Sequence, residues 1–316
     1  MKALVIEDEL SLEEVPMPIR EPGESLIRVL TAGVCNTDLE ILKGYMGFKG
    51  ILGHEFAGVV EESDNAQLVG QRVVGEINCV CYQCDFCQRE MPNHCSNRTV
   101  LGILGRYGAF AEYLTLPDEN LHIVPEALED DSAVFTEPVA AAHRILEQIS
   151  IEKTDKIIVL GAGKLGQLIA QVLNPKCKQL TCVGRNNWKL EILKDLGIRV
   201  AAEDSLLQRH QADIVVDATG VYQGFTRALE LVRPEGTVVL KTTVTHPTAL
   251  EMSLPVINEV RVIGSRCGPF RPALESLMLG RVTVGPLISE TYELKDGVRA
   301  LERASAREVM KVLIHM

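Results

Sequence analysis

Ile157-Ile158-Val159-Leu160-Gly161-Ala162-Gly163-Lys164-Leu165-Gly166 is the stretch on which the fold turns. An apolar strand pattern runs into G-x-G-x-x-G, and a helical pattern over 165–173 follows. In such a turn Gly161 permits the tight bend, Gly163 lets the backbone approach a pyrophosphate, and Gly166 lets helix and strand pack closely. The helix that follows would point unsatisfied N–H groups and the positive end of its dipole at phosphates. The glycine pattern alone is weak, and its surroundings give it weight. A helical segment over 139–149 precedes it. Strand patterns at 180–183, 214–216 and 237–240 then alternate with helical ones at 188–196 and 222–231. That alternation specifies βαβ units on a parallel sheet.

Upstream the texture changes. Residues 1–130 carry short alternating or β-branched runs (2–6, 25–34, 56–61, 72–77, 109–116) broken by Gly and Pro, as in a β-rich, barrel-like domain. After Phe270 come a short helix pattern, a Pro and a last apolar run, 309–314, able to return to the first domain. A length of 316 residues fits two domains at about 150 residues each. The 32 Lys and Arg against 43 Asp and Glu leave a net charge of −11. An acidic chain without basic blocks is a poor partner for nucleic acid or anionic membranes. No run approaches the roughly 20 apolar residues of a membrane span, and the acids in residues 1–10 do not suit a signal peptide. A cytoplasmic location is therefore expected.

The second strand tests which dinucleotide is bound. A carboxylate about 20 residues past the glycines would hydrogen-bond the ribose 2′-hydroxyl of NAD. Here the strand ends Val183-Gly184-Arg185-Asn186-Asn187, with no carboxylate at that place. Gly184 leaves room and the Arg185 guanidinium matches a phosphate, so NADP(H) is expected over NAD(H). The plainer alternative is that Arg185 only begins a solvated loop; Trp188, just beyond it, is read as packing.

Nine cysteines stand out, five of them within residues 79–95. Cys81-x2-Cys84-x2-Cys87-x7-Cys95 suits a closed tetrahedral zinc site, hence a structural one. Cys79 and His94 are spare candidates at its margin. A redox cluster or a zinc ribbon for nucleic acid is the alternative, and the acidic charge weighs against the ribbon. Cys177, Cys182 and Cys267 read as small buried apolar residues.

Three more segments gain meaning together: Cys35-Asn36-Thr37-Asp38, Gly53-His54-Glu55-Phe56-Ala57-Gly58 and Thr136-Glu137-Pro138. Taken singly, each has a bland explanation. In order along the chain, with the cysteine lobe, the glycine turn, Asp217-Ala218-Thr219-Gly220 and Val262-Ile263-Gly264-Ser265-Arg266, they resemble the zinc-dependent medium-chain dehydrogenase/reductase superfamily of alcohol and polyol dehydrogenases. The resemblance is almost full length, and Glu137 before Pro138 is similar to the sorbitol and glucose dehydrogenase branch. It implies an α/β architecture, with a Rossmann dinucleotide-binding domain (138–269) inserted into a β-rich GroES-like catalytic domain. That catalytic domain would comprise residues 1–137, with the structural-zinc lobe at 79–95, and a return segment, 270–316. A catalytic zinc bound by Cys35, His54 and Glu55 is implied, with Glu137 or a water beside it. Thr37 would take up the substrate hydroxyl proton, and Asp38 would orient His54. Cofactor contacts are implied at Gly161, Gly163, Lys164, Leu165, Gly166, Arg185, Asn186 and Thr219, and at Lys311 for the phosphates.

The activity implied is hydride transfer between a small-molecule alcohol or polyol, or the matching carbonyl, and a nicotinamide cofactor. It would need one catalytic and one structural zinc, in a dimer or tetramer. Some relatives place a His shortly after the Cys-x-Thr turn to extend the proton relay, where this chain has Leu39 and Glu40. With the short 44–53 segment, that leaves a second reading: a catalytically silent NADPH-binding redox sensor or assembly partner. His143, six residues past Glu137, reads as core.

Overall fold

The computed structural model describes residues 1–203, 205, 209–243 and 252–316. The chain divides into two compact units. One gathers Met1–Glu137, Ala273–Met278 and Val284–Met316, and the other Pro138–Pro272 with Leu279–Thr283. The return segment is therefore not continuous from 270: residues 279–283 belong to the second unit.

The second unit is built on a six-stranded parallel sheet, in the order Arg199–Ala202, Gln179–Gly184, Lys156–Leu160, Ala212–Asp217, Val232–Leu240 and Arg261–Gly264. The strand before the glycine turn is central. Its neighbours are the next strand in sequence on one side and the fourth on the other, so chain direction across the sheet reverses there. This is the switch point at which doubly wound sheets hold ligands beyond the carboxyl ends of their strands. The central strands are apolar because both faces are covered: Val159, Val215 and Val216 are fully buried. The two outermost strands are largely exposed and carry Arg199 and Arg261, which is why apolar runs did not reveal them. The Lys164–Leu173 helix begins at Gly163.

Each glycine of the turn does a different job. Gly161 adopts φ +99°, a left-handed conformation costly for other residues. A Cβ on Gly166 would collide with the Gly161 carbonyl, whereas a Cβ on Gly163 would meet nothing within 4 Å. Only the space at Gly163 is left open for something outside the chain.

The first unit is dominated by a seven-stranded sheet running Leu121–Ile123, Arg72–Gly75, Glu55–Glu62, Glu24–Gly33, Lys311–His315 and Ile288–Glu293, with Tyr113–Pro117 paired to the first half of Glu24–Gly33. Gly33 lies opposite Glu55 on one side and Leu313 on the other. The last strand of the chain is thus hydrogen-bonded beside one of the first. A small sheet of Leu10–Glu14, Lys2–Ile6 and Gly50–Ile51 and a lobe of Asn78–Cys79, Thr99–Leu101 and Gly105–Arg106 complete the unit. Among the described residues no helix is long and apolar enough to cross a membrane.

Gly166→Ala is expected to destabilise the second unit by about 1–3 kcal/mol through overpacking against backbone. Gly163→Ala should stay within about 0.5 kcal/mol of the parent. Urea unfolding of the two variants checks the contrast.

Candidate metal centres and dinucleotide turn

Cys35 ends the Glu24–Gly33 strand region and is the N-cap of the Asn36–Leu42 helix. Asp38 stands three residues on, where a capping-box side chain reaches back to the cap. Its Oδ2 accepts the Cys35 N–H at 2.8 Å, while its Oδ1 lies 3.1 Å from His54 Nδ1. One carboxylate therefore closes the helix and orients the imidazole, leaving Nε2 as the nitrogen available to a cation. The donor atoms of Cys35, His54 and Glu55 all lie within 4.8 Å of one another. His54 and Glu55 are 3% and 1% exposed. Thr37 is half-buried, its hydroxyl 3.7 Å from Cys35 Sγ.

Lys311 enters this group from the last strand. At 2% exposure, its ammonium donates to Glu55 Oε2 and to the Val34 carbonyl. Gly33 makes the room: a Cβ there would stand 2.6 Å from Glu55 Oε2 and 2.7 Å from Val134 Cγ1. The phosphate-binding role expected for Lys311 is accordingly revised, because its charge is committed to a buried carboxylate.

The charges point to a cation. With Cys35 as the thiolate that ligation requires, Cys35, Asp38 and Glu55 are three anions against one ammonium. Burial pushes the His54 imidazolium down, but the Asp38 carboxylate and the Cys35 thiolate outweigh it and hold His54 well above its ordinary value. Burial likewise opposes the Lys311 charge, and Glu55 and Cys35 overcome it. With His54 neutral, as a ligand must be, a dication would supply the two positive charges then missing. Thiolate, imidazole and carboxylate are the donors that suit zinc, and three protein ligands leave a position open.

The lobe has different donors. Cys81, Cys84, Cys87 and Cys95 form one group within 4.8 Å, with sulfur–sulfur distances of 3.5 Å (Cys84–Cys87, Cys81–Cys95) and 3.8 Å (Cys84–Cys95). Zn–S bonds of about 2.3 Å imply tetrahedral edges of about 3.8 Å, so the spacing suits one ion held by four sulfurs. Backbone N–H groups of Cys87 and Ser96 pull the Cys84 thiol down to about 6, and those of Gln83 and Cys84 lower Cys81. Cys87 moves up to about 12, because burial and the neighbouring Cys84 and Cys95 sulfurs oppose further charge. Neither Cys79 nor His94 belongs to the group.

In the second unit, Gly184 comes against the glycine turn: a Cβ there would stand 2.7 Å from Ala162 Cβ. Gln167, fully buried, donates to the Lys189 carbonyl at 2.6 Å and ties the helix after the turn to the next helix. Arg185 and Asn186 are exposed, and Asn186 caps the Asn187–Asp195 helix. Lys164 and Leu165 open the Lys164–Leu173 helix, both half-buried. At the end of the fourth strand Asp217 is 1% exposed. Its Oδ1 accepts the Thr219 N–H (3.0 Å) and hydroxyl (2.8 Å) and lies 3.1 Å from the Thr242 hydroxyl. Thr242 also accepts the Gly220 N–H at 3.0 Å. Thr242 was missed in the sequence, where it stands 25 residues from Asp217 with no motif around it.

Glu137 lies in the first turn of the Thr136–Gln148 helix, outside the Cys35–His54–Glu55 group. Trp188, read as packing, is 42% exposed with Lys189 Nζ 5.1 Å above its ring, so the indole packs in part and meets solvent in part. His143 is half-buried. Cys177 and Cys182 are buried, and burial pushes Cys182 up to about 12, whereas Cys267 is only half-buried.

Fold and donor sets together define a metal-binding, dinucleotide-binding oxidoreductase class. Residues 21–126 match the family described as "Alcohol dehydrogenase GroES-like domain", and residues 130–313 match "Glucose dehydrogenase C-terminus". A sorbitol dehydrogenase of Halalkalibacterium halodurans is 28% identical over 99% of both chains. Two solved structures, each 26% identical and covering 100% of this chain and 99% of theirs, are also similar. One, described as a "putative zinc-binding dehydrogenase" of Sinorhizobium meliloti bound to NADP, superposes with a TM-score of 0.89. The other, an alcohol dehydrogenase of Escherichia coli complexed with NADH, gives 0.92. The chain belongs to the zinc-dependent medium-chain dehydrogenase/reductase superfamily.

Removing the ammonium partner of Glu55 strands a buried charge. Lys311→Met is expected to cost the metal-free protein about 3–5 kcal/mol, read from the urea midpoint.

Proposed function

We propose that this protein is a zinc-dependent dehydrogenase that moves hydride between an alcohol or polyol, or the matching carbonyl, and NADP(H). The observation that carries this reading is the convergence of Cys35, His54 and Glu55 within 4.8 Å, in a chain that also folds a G-x-G-x-x-G turn onto a parallel sheet. The similar sorbitol dehydrogenase and the NADP-bound neighbour support a polyol-like substrate and a nicotinamide cofactor.

Cys35, His54 and Glu55 would hold the catalytic zinc, with Glu137 or a water completing the set. Glu55 can share its two oxygens between Lys311 and the ion. Bound there, zinc supplies Lewis-acid polarisation of the substrate oxygen, and the nicotinamide accepts or returns the hydride. Asp38 fixes the ring of His54, which sets its basicity as a ligand. Thr37, beside Cys35, takes the substrate hydroxyl proton and hands it towards solvent. Leu39 offers no further relay group. Cys81, Cys84, Cys87 and Cys95 would hold a second, structural zinc with no open position. The Gly163 backbone, with the start of the Lys164–Leu173 helix, would cradle the pyrophosphate, and Arg185 would take the 2′-phosphate.

Metal analysis should find two zinc ions per chain. Cys35→Ala should lose one ion and abolish turnover of an alcohol and carbonyl panel while NADPH still binds. Cys84→Ser should lose the other and lower Tm. Unimpaired turnover by the Cys35 variant would sink the zinc mechanism, and binding of NADPH without any turnover by the parent would favour a sensor.

Arg185→Asp tests the cofactor assignment. Loss of a charged hydrogen bond is worth about 1.5–3 kcal/mol, so NADPH affinity should fall roughly 10- to 150-fold while NADH binding holds. Equal loss for both cofactors would refute the role of Arg185.

A further inference from the structure

The second strand lacks a carboxylate at its end, but the sheet brings one there from the third. Gly184 pairs with Ala202 in the parallel register, and the Glu203 N–H donates to the Gly184 carbonyl at 3.0 Å. Arg185 and Glu203 are therefore neighbours one step past the paired residues. Their side chains meet, with Arg185 Nε 3.1 Å from Glu203 Oε2. The backbone, rather than chance rotamers, fixes this juxtaposition. Gly184 in turn lies against Ala162 of the glycine turn, so the pair flanks the place where the ribose next to the adenine would sit.

We propose that Glu203 is a second specificity-determining residue of the dinucleotide site: its carboxylate accepts the 2′-hydroxyl of NAD and opposes the 2′-phosphate of NADP. The inference rests on the reading of Arg185 as the 2′-phosphate contact. A hydroxyl is neutral and can donate to a carboxylate, as the acidic residue of NAD sites requires. A phosphomonoester carries a charge of about −1.5 to −2 at pH 7, and it must both displace Glu203 from Arg185 and tolerate its charge. The side chains of Arg185 and Glu203 are 71% and 51% exposed, so their ion pair is weak and either partner can be drawn away by a ligand. The pair thus offers an acceptor to one cofactor and a cation to the other, and it narrows the preference that Arg185 alone would impose.

The test is calorimetric binding of NAD⁺ and NADP⁺ to the zinc-loaded parent, Glu203→Gln and Arg185→Ala. The quantity read is Kd for NAD⁺ divided by Kd for NADP⁺. Glu203→Gln is expected to raise this ratio about three- to tenfold, the scale of one screened charge at a surface. The rise should shrink in 1 M salt, where the screening length falls to about 3 Å. Arg185→Ala should lower the ratio. If Arg185→Ala lowers it and Glu203→Gln leaves it unchanged or lowers it, Glu203 is no determinant while the reading of Arg185 stands. If Arg185→Ala leaves the ratio unchanged, the reading of Arg185 fails and the role of Glu203 falls with it.

Discussion

The buried contact between Lys311 and Glu55 is the constraint on which the first unit depends. Taking either charge out of water costs several kcal/mol, and only close pairing with good hydrogen bonds offsets it. Pairing requires three strands in register: Glu55–Glu62, Glu24–Gly33 and Lys311–His315, with Gly33 lacking a side chain where the charges meet. The partners are 256 residues apart in sequence. Loop-closure entropy grows only logarithmically, by about 0.6 kcal/mol per doubling of length. A whole folded unit can therefore stand between these strands at little more cost than a long loop, provided the last strand returns.

The second unit solves a different problem, that of bringing backbone close to a ligand. The glycines around the turn are shaped by what approaches them, backbone at Gly161 and Gly166 and the Ala162 methyl at Gly184. Gly161 reaches Ala218, Gly166 reaches Gly161, and Gly184 reaches Ala162. Asp217 then serves as a hub. Buried at the switch point, it binds Thr219 and faces Thr242, and so ties the ends of two adjacent strands. The same close approach that leaves no room for side chains at Gly161 and Gly166 leaves Gly163 open.

What the sequence discloses follows from how local each feature is. The glycine turn and the cysteine ladder are read from spacing because turns and chelating loops are made by near neighbours. The apolar central strands are legible because both faces are buried. The outer strands Arg199–Ala202 and Arg261–Gly264 are not, since half their surface faces water and their composition is mixed. Leu10–Glu14 escapes for the same reason. The meeting of Cys35 with His54 and Glu55 was inferred from resemblance, because nothing in their spacing requires it. The partner of Lys311 and the carboxylate beside Arg185 are set by strand register alone. Trp188 lies half on the surface, where the Lys189 ammonium stands over its ring.

The two sulfur-containing groups show how charge balance separates structure from chemistry. Four thiolates around a dication leave an excess of two negative charges. In the lobe, backbone N–H groups directed at Cys81 and Cys84 absorb part of it. With an ion there, the four sulfurs would fill all four tetrahedral positions and leave none open. Around Cys35 the balance is reached differently. Asp38 and Glu55 add charge to the thiolate, Lys311 removes one unit, and a dication held there with neutral His54 would bring the sum to zero. With a water rather than Glu137 as the fourth ligand, such a centre would be neutral and could exchange that water for an uncharged hydroxyl without preferring an anion. On that balance Lys311 would be more than a brace for Glu55: without it a metal-loaded centre would hold one negative charge too many, and deprotonating a substrate beside it would be harder.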